Sequence, residues 1–120
     1  MKIAISSTGK TIDDVMDSRF GRCNYFIIYD LDNDEYKAVE NKGITSGHGA
    51  GIAAAQQILD ENVDVVISGK LGPNSYRIIE GEGITMLQAE QDKISNIINE
   101  YRENKLSHQK GAGAAHVGLK

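Results

Sequence analysis

The sequence predicts a single three-layer α/β domain, and three observations predict it. Short β-branched or apolar runs, the mark of strands, are interleaved with longer segments whose apolar residues recur at helical spacing. The strands come first as a hairpin and later alternate with helices, which implies a mixed sheet with helices packed on its faces. The run "VDVVIS", Val63 to Ser68, is almost continuously apolar, as a central strand covered on both faces requires.

Taken in order, "KIAIS" alternates and is β-branched, a first strand ending near Ser6. "TGKTIDDVMDSRFGR" is polar with scattered apolar residues and reads as a long loop. "YFIIYDL", Tyr25 to Leu31, is a second strand; "DNDE" is a turn, and "YKAVEN" closes a hairpin as the third. "GITSGHGAG" is a loop with four glycines in nine residues, before a helix from about Ile52 to Glu61 with Ile52, Ala55, Ile58 and Leu59 on one face. After the central strand, "GKLGPNS" is a second glycine loop. Pro73 suits the first turn of the next helix, which Gly81 closes. "GITMLQ" is another strand. A last helix is predicted from roughly Glu90 to Glu103, with Ile94, Ile97, Ile98 and Tyr101 at helical spacing. From Lys105 onward the chain is glycine-rich with little to bury, so residues 105–120 are expected to form a flexible tail after a domain of residues 1–104. No internal repeat is present.

Composition bounds the function. With 120 residues, 40% of them hydrophobic, the chain has a core sufficient for one domain. No apolar run approaches the ~20 residues that cross a bilayer. "MKIAIS" reads as a strand rather than as the start of a signal peptide. One cysteine cannot form an internal disulfide, so a cytoplasmic location is expected. The formal charge of −4 is uneven: the first 104 residues carry 10 Lys+Arg against 17 Asp+Glu, a formal −7, and the remainder carries three lysines and no acid. An acidic body without a basic, aromatic-studded patch is a poor partner for nucleic acid.

Both glycine loops precede helices. Helix N-termini offer unpaired N–H groups and partial positive charge to anions, and glycine lets the backbone approach a ligand closely. "SGKLG" also follows the central strand, where open α/β sheets place their binding crevice. Neither loop has a standard phosphate signature: "GHGAG" is not G-x-G-x-x-G, and "GKLGPNS" is not a Walker A loop. Tight turns and close helix–sheet packing explain such glycines equally well.

The segment "SRFGRCNYFIIYD" holds the single cysteine, Cys23, and two of the four arginines, Arg19 and Arg22. Two readings of Cys23 stand. It is a small buried hydrophobe beside an aromatic strand, or a thiolate stabilised by neighbouring cations and able to attack a substrate or bind a soft metal. One thiol cannot by itself supply the four ligands an iron–sulfur cluster normally takes. His48, between two glycines, is the only histidine before residue 105 and is either solvated or a ligand. The strand ends carry Ser6, Ser7 and Ser68 rather than converging carboxylates, which argues against a nuclease. "DNDE" lacks the calcium-loop pattern.

"SRFGRCNYFIIYD", "GHGAGIAAAQQIL", "VDVVISGKLGPNS" and "GITMLQ", in that order, resemble the dinitrogenase iron–molybdenum cofactor biosynthesis family, which includes the carrier NifX, the C-terminal part of NifB and many small stand-alone proteins. The resemblance covers about residues 1 to 104. It implies a ribonuclease-H-like α/β fold without nuclease activity, built on a five-stranded mixed sheet of order 3-2-1-4-5 with helices on both faces. It also implies non-enzymatic binding or carriage of an iron–sulfur or iron–molybdenum-type cluster, or its precursor. The implied partners are cluster-donor or acceptor proteins, with the chain a monomer or weak homodimer.

On this reading Arg19 and Arg22 face an anionic cluster, and Cys23 and His48 are its metal ligands within one site. Gly47, Gly49 and Gly51 in the first glycine loop, and Gly69 and Gly72 in the second, supply backbone donors. Two alternatives use the same residues: a small-anion or nucleotide-binding regulatory module, and a thiol-dependent enzyme built on Cys23 and His48.

Overall fold

Alternation along the first strand sends Ile3 and Ile5 to one face of the sheet and Ala4 to the other, and all three are fully buried. A strand covered on both faces lies inside the sheet, and so it does. A computed structural model, which describes residues 1–44, 49–109 and 111, orders the strands β3-β2-β1-β4-β5-β6. The strands are β1 (Lys2–Ser7), β2 (Tyr25–Asp30), β3 (Glu35–Glu40), β4 (Val65–Ser68), β5 (Thr85–Gln88) and β6 (Ser107–His108). The first three are antiparallel neighbours, β1–β4 and β4–β5 are parallel, and β6 runs antiparallel to β5.

Three helices, α1 (Ala50–Asp60), α2 (Pro73–Gly81) and α3 (Ile94–Arg102), complete the layers. The period-2 pattern divides the core. Ala4, Phe26, Ile28, Val66 and Met86 pack on one face with Ala54, Ala55 and Ile58 of α1 and Ile79 of α2. Ile3, Ile5, Ile27, Val65, Ile67 and Leu87 pack on the other with Ile94, Ile97 and Ile98 of α3. The expected mixed sheet, its order through five strands and its three layers are therefore present.

Three local expectations change. The loop after β1 is not featureless. Ser7 bridges Met16, Val15 bridges Lys93, and a 3-10 turn, Phe20–Arg22, leads into β2. The bridge at Lys93 takes the backbone that was expected to start the last helix: Met16 N–H donates to Asp92 O and Ile94 N–H to Asp14 O. The helix accordingly begins at Ile94, with Asp92 Oδ1 accepting from Lys93 N–H and the Asn96 amide. Finally, the sheet has six strands rather than the expected five. Ser107 and His108 pair with Gln88 and Leu87, and Gln109 is buried. Short polar segments of this kind have no periodicity to announce a strand. Residues 110 and 112–120 lie outside the described residues.

Candidate functional site

Strand directions decide where the loops meet. β1, β3, β4 and β5 all run the same way, so the segments that leave them, beginning at residues 8, 41, 69 and 89, emerge at one edge of the sheet. This is the edge at which β1 changes from antiparallel to parallel pairing, the position where open α/β sheets form a crevice.

The floor of this edge is polar and fully paired. Ser6 Oγ donates to Asp17 O at 2.6 Å and lies 2.7 Å from Ser68 Oγ, joining the ends of the two central strands. Asp17 is buried and is held by Arg19 through the backbone N–H (2.9 Å), Nε (3.1 Å) and Nη2 (3.0 Å). Arg19 therefore balances a buried carboxylate, with its guanidinium largely exposed, and is not an uncommitted cation. Arg22 is exposed at the end of the 3-10 turn.

Cys23 is placed differently from either ligand expectation. At three residues per turn, Phe20 and Cys23 fall on one side of the 3-10 turn, and that side faces the core. Phe20 packs on Phe26 with ring centroids 5.1 Å apart, and Cys23 is fully buried. The thiol donates to Phe20 O at 3.3 Å, and Asn41 Nδ2 lies 3.7 Å from the sulfur. Burial pushes the thiol up to about 12 and opposes formation of a thiolate. Such a sulfur is neither a reactive nucleophile nor an accessible soft ligand, which removes the support for a thiol-dependent enzyme. His48 and Gly47 lie outside the described residues, so no distance relates them to Cys23. Among the described residues, no group of three or more His, Cys, Asp or Glu side chains could hold a metal ion.

The remaining glycines separate by geometry. A Cβ on Gly21 would stand 3.0 Å from both Cα and N of Gly51, so Gly21 lets the 3-10 turn press on the first turn of α1. A Cβ on Gly51 would meet only Ser75 of α2, at an ordinary contact distance of 3.7 Å. Gly69 is buried, and a Cβ there would collide with the carbonyl of Ser18. Gly49 has φ 78°, the left-handed region that glycine enters at little cost. Gly72 has neither reason: its φ is −71°, and no described atom lies within 4 Å of a Cβ built on it.

Helices α1 and α2 start at this edge, at Gly49 and Gly72. Among the described residues, neither has a side-chain cap or an acid in its first turn that would offset the positive end of its dipole. Sequence reasoning missed Asn41 and Gln109. Buried Asn41 donates to the carbonyls of Gly21 (3.2 Å) and Cys23 (2.9 Å) and accepts from Gly43 N–H (2.9 Å), joining the 3-10 turn to the start of the first glycine loop. Buried Gln109 does the same for the second glycine loop. Gln109 has no local sequence signal, because its side-chain partners lie 22 to 40 residues away, and the local bond of Asn41 to Gly43 does not announce the carbonyls it reaches 18 and 20 residues away.

The model of the family described as dinitrogenase iron-molybdenum cofactor matches residues 1–104. The chain belongs to this family. An uncharacterized protein of Methanocaldococcus jannaschii is 30% identical over 109 residues, which cover 88% of this chain and 89% of the relative. Among solved structures, the apo form of the orange protein from Desulfovibrio gigas superposes with a TM-score of 0.90 at 26% identity, covering 94% of this chain and 96% of that one. A putative NifB protein from Thermotoga gives a TM-score of 0.79 at 29% identity over 89% and 91% of the two chains. The family match and the site glycines end before β6, so the Ser107–Gln109 segment lies outside the matched region.

Proposed function

We propose that the chain binds an anionic iron–sulfur or iron–molybdenum-type cluster, or a precursor of one, as cargo and carries it between proteins without transforming it. Membership of the dinitrogenase iron-molybdenum cofactor family over residues 1–104 is the observation that carries this reading. A similar fold in a protein solved as an apo form agrees with a cradle that fills and empties.

The geometry favours holding by charge and backbone donors over holding by a thiolate. The body is formally −7, so an anion needs local positive potential. Two uncapped helix N-termini, the exposed Arg22 and the exposed Lys70 supply it at one edge. Gly72 keeps the start of α2 open to close approach. His48 remains the one imidazole proposed as a direct metal ligand; Cys23 acts through the packing beneath the 3-10 turn.

The test is anaerobic incubation with ferrous iron and sulfide, with and without molybdate, then gel filtration and metal counting. Iron co-eluting with the chain and accompanied by visible absorption is the expected outcome, and Cys23→Ala should retain it. Metal no higher than on an unrelated acidic protein of similar size overturns the reading. Stabilisation by inorganic phosphate alone would favour the small-anion module instead.

A further inference from the structure

The second glycine loop is held by a residue that lies outside the matched family region. Gln109, 8% exposed, reaches under it from the position just after β6. Its Nε2 donates to Gly69 O at 2.9 Å and to Leu87 O at 3.3 Å, and its Oε1 accepts from Leu71 N–H at 3.3 Å. Its own backbone N–H donates to Met86 O at 2.9 Å. One primary amide thus satisfies a carbonyl and an N–H of the loop while tying both to β5, as an extra rung of the sheet would.

We propose that Gln109 is a positioning residue for the ligand, setting the backbone of the Gly69–Gly72 loop so that the start of α2 is presented to the cargo. The proposal rests on the cluster-carrier reading for the identity of the ligand. Three features support it. The Gly69 peptide is confined from two sides, by Gln109 at its carbonyl and by Ser18 against its Cα, so the loop has one seat. Ser18 lies between Asp17 and Arg19, so the same contact joins the Gln109 clamp to the arginine-bearing loop. Gln109 directly follows β6, whose pairing with Leu87 and Gln88 of β5 fixes the approach of its amide to the loop. Only Gln serves here. Glu keeps the acceptor for Leu71 N–H but turns both donations into carboxylate–carbonyl repulsions, and Asn is one methylene short.

The experiment compares full-length wild type with Gln109→Ala, Gln109→Glu and His108→Ala, the last removing an exposed neighbour on the same strand. Amide exchange is read at Leu71 and, as an internal reference, at Ile67 in β4. Iron retention is read after anaerobic loading with ferrous iron and sulfide, at a temperature where every variant is folded. Gln109→Ala, which removes the buried acceptor of Leu71 N–H, should speed exchange at Leu71 by about tenfold or more with Ile67 unchanged, and Gln109→Glu, which keeps that acceptor and loses the two donations, should speed it less. Both should lower retained iron by at least half, while His108→Ala matches wild type in both readouts. Unchanged exchange at Leu71 overturns the clamp. Faster exchange with wild-type iron retention overturns the positioning role and leaves Gln109 a fold residue. A wild-type chain that retains no iron, with the exchange result as expected, refutes the carrier reading and takes the ligand-positioning claim with it.

Discussion

Cys23 shows how one turn of backbone decides the chemistry of a side chain. Two nearby arginines suggest an activated thiolate, but the spacing Phe20-x-x-Cys23 over a 3-10 turn points the sulfur inward with the phenyl ring. That spacing was present in the sequence; what was missing was the turn type, which depends on Asn41 tying Gly21 and Cys23 from beyond β3. The thiol of the unfolded chain ionises near pH 9, and burial pushes it up to about 12 in the folded one. Between these values the folded state holds a proton that the unfolded state has lost. Stability from this group is thus complete below about pH 9 and falls as pH rises, by about 1.4 kcal/mol per pH unit. Cys23→Ala should cost about 1 kcal/mol at neutral pH through the lost sulfur packing. It should also flatten the alkaline limb of a denaturation-versus-pH series by one proton; an unchanged slope would place the titration elsewhere. Alkylation of the native chain should be slower than that of the urea-unfolded chain by about a hundredfold, because reaction must await opening. Arg19 carries the same lesson with the opposite charge, since its guanidinium is committed to buried Asp17.

At the scale of elements, strands with β-branched alternation and helices with long apolar periodicity were readable, and their layer order followed from them. The start of α3 and the whole of β6 were not, because each is set by pairing with a distant segment: Val15 with Lys93, and Leu87 with His108. The two glycine-led helix starts offer a direct comparison. Gly49 sits at φ 78° with no described atom near a built Cβ, so Gly49→Ala meets backbone strain and no clash, and should cost about 1–2 kcal/mol in chemical denaturation. Gly72 has an ordinary φ of −71°, and a serine there could cap Asn74 or Ser75 N–H. Gly72→Ser should therefore leave the denaturation midpoint unchanged or raise it slightly. If the glycine is there for close approach of cargo, the same substitution should reduce iron retained after anaerobic loading. A stable variant with full retention would mean that the start of α2 is not in contact with the cargo.

The whole molecule ties its loop-bearing edge to the segment after α3. Topology made the edge legible: parallel strands must release their loops at one end, and the glycine loops were recognisable by composition. The clamp on those loops was not legible, because a single glutamine 40 residues from Gly69 leaves no pattern. Its consequence is a revised expectation for truncation. A chain ending at Gly111 keeps every described contact and serves as the reference. A chain ending at Asn104 loses the β5–β6 pairing, the bond from Lys105 N–H to Glu100 O, the packing of Leu106 on the α3 face, and all four hydrogen bonds of Gln109. The carbonyl of Gly69 and the N–H of Leu71 then need water in a site built to exclude it. With net contributions of about 1 kcal/mol for each buried bond, the loss should be roughly 2–4 kcal/mol. For a domain of this size that lowers Tm by about 10 °C or more. Calorimetry of the two chains decides the matter: a Tm equal to the reference would show that residues 105–109 are a passive tail and that β4, β5 and the Gly69–Gly72 loop hold their places without them.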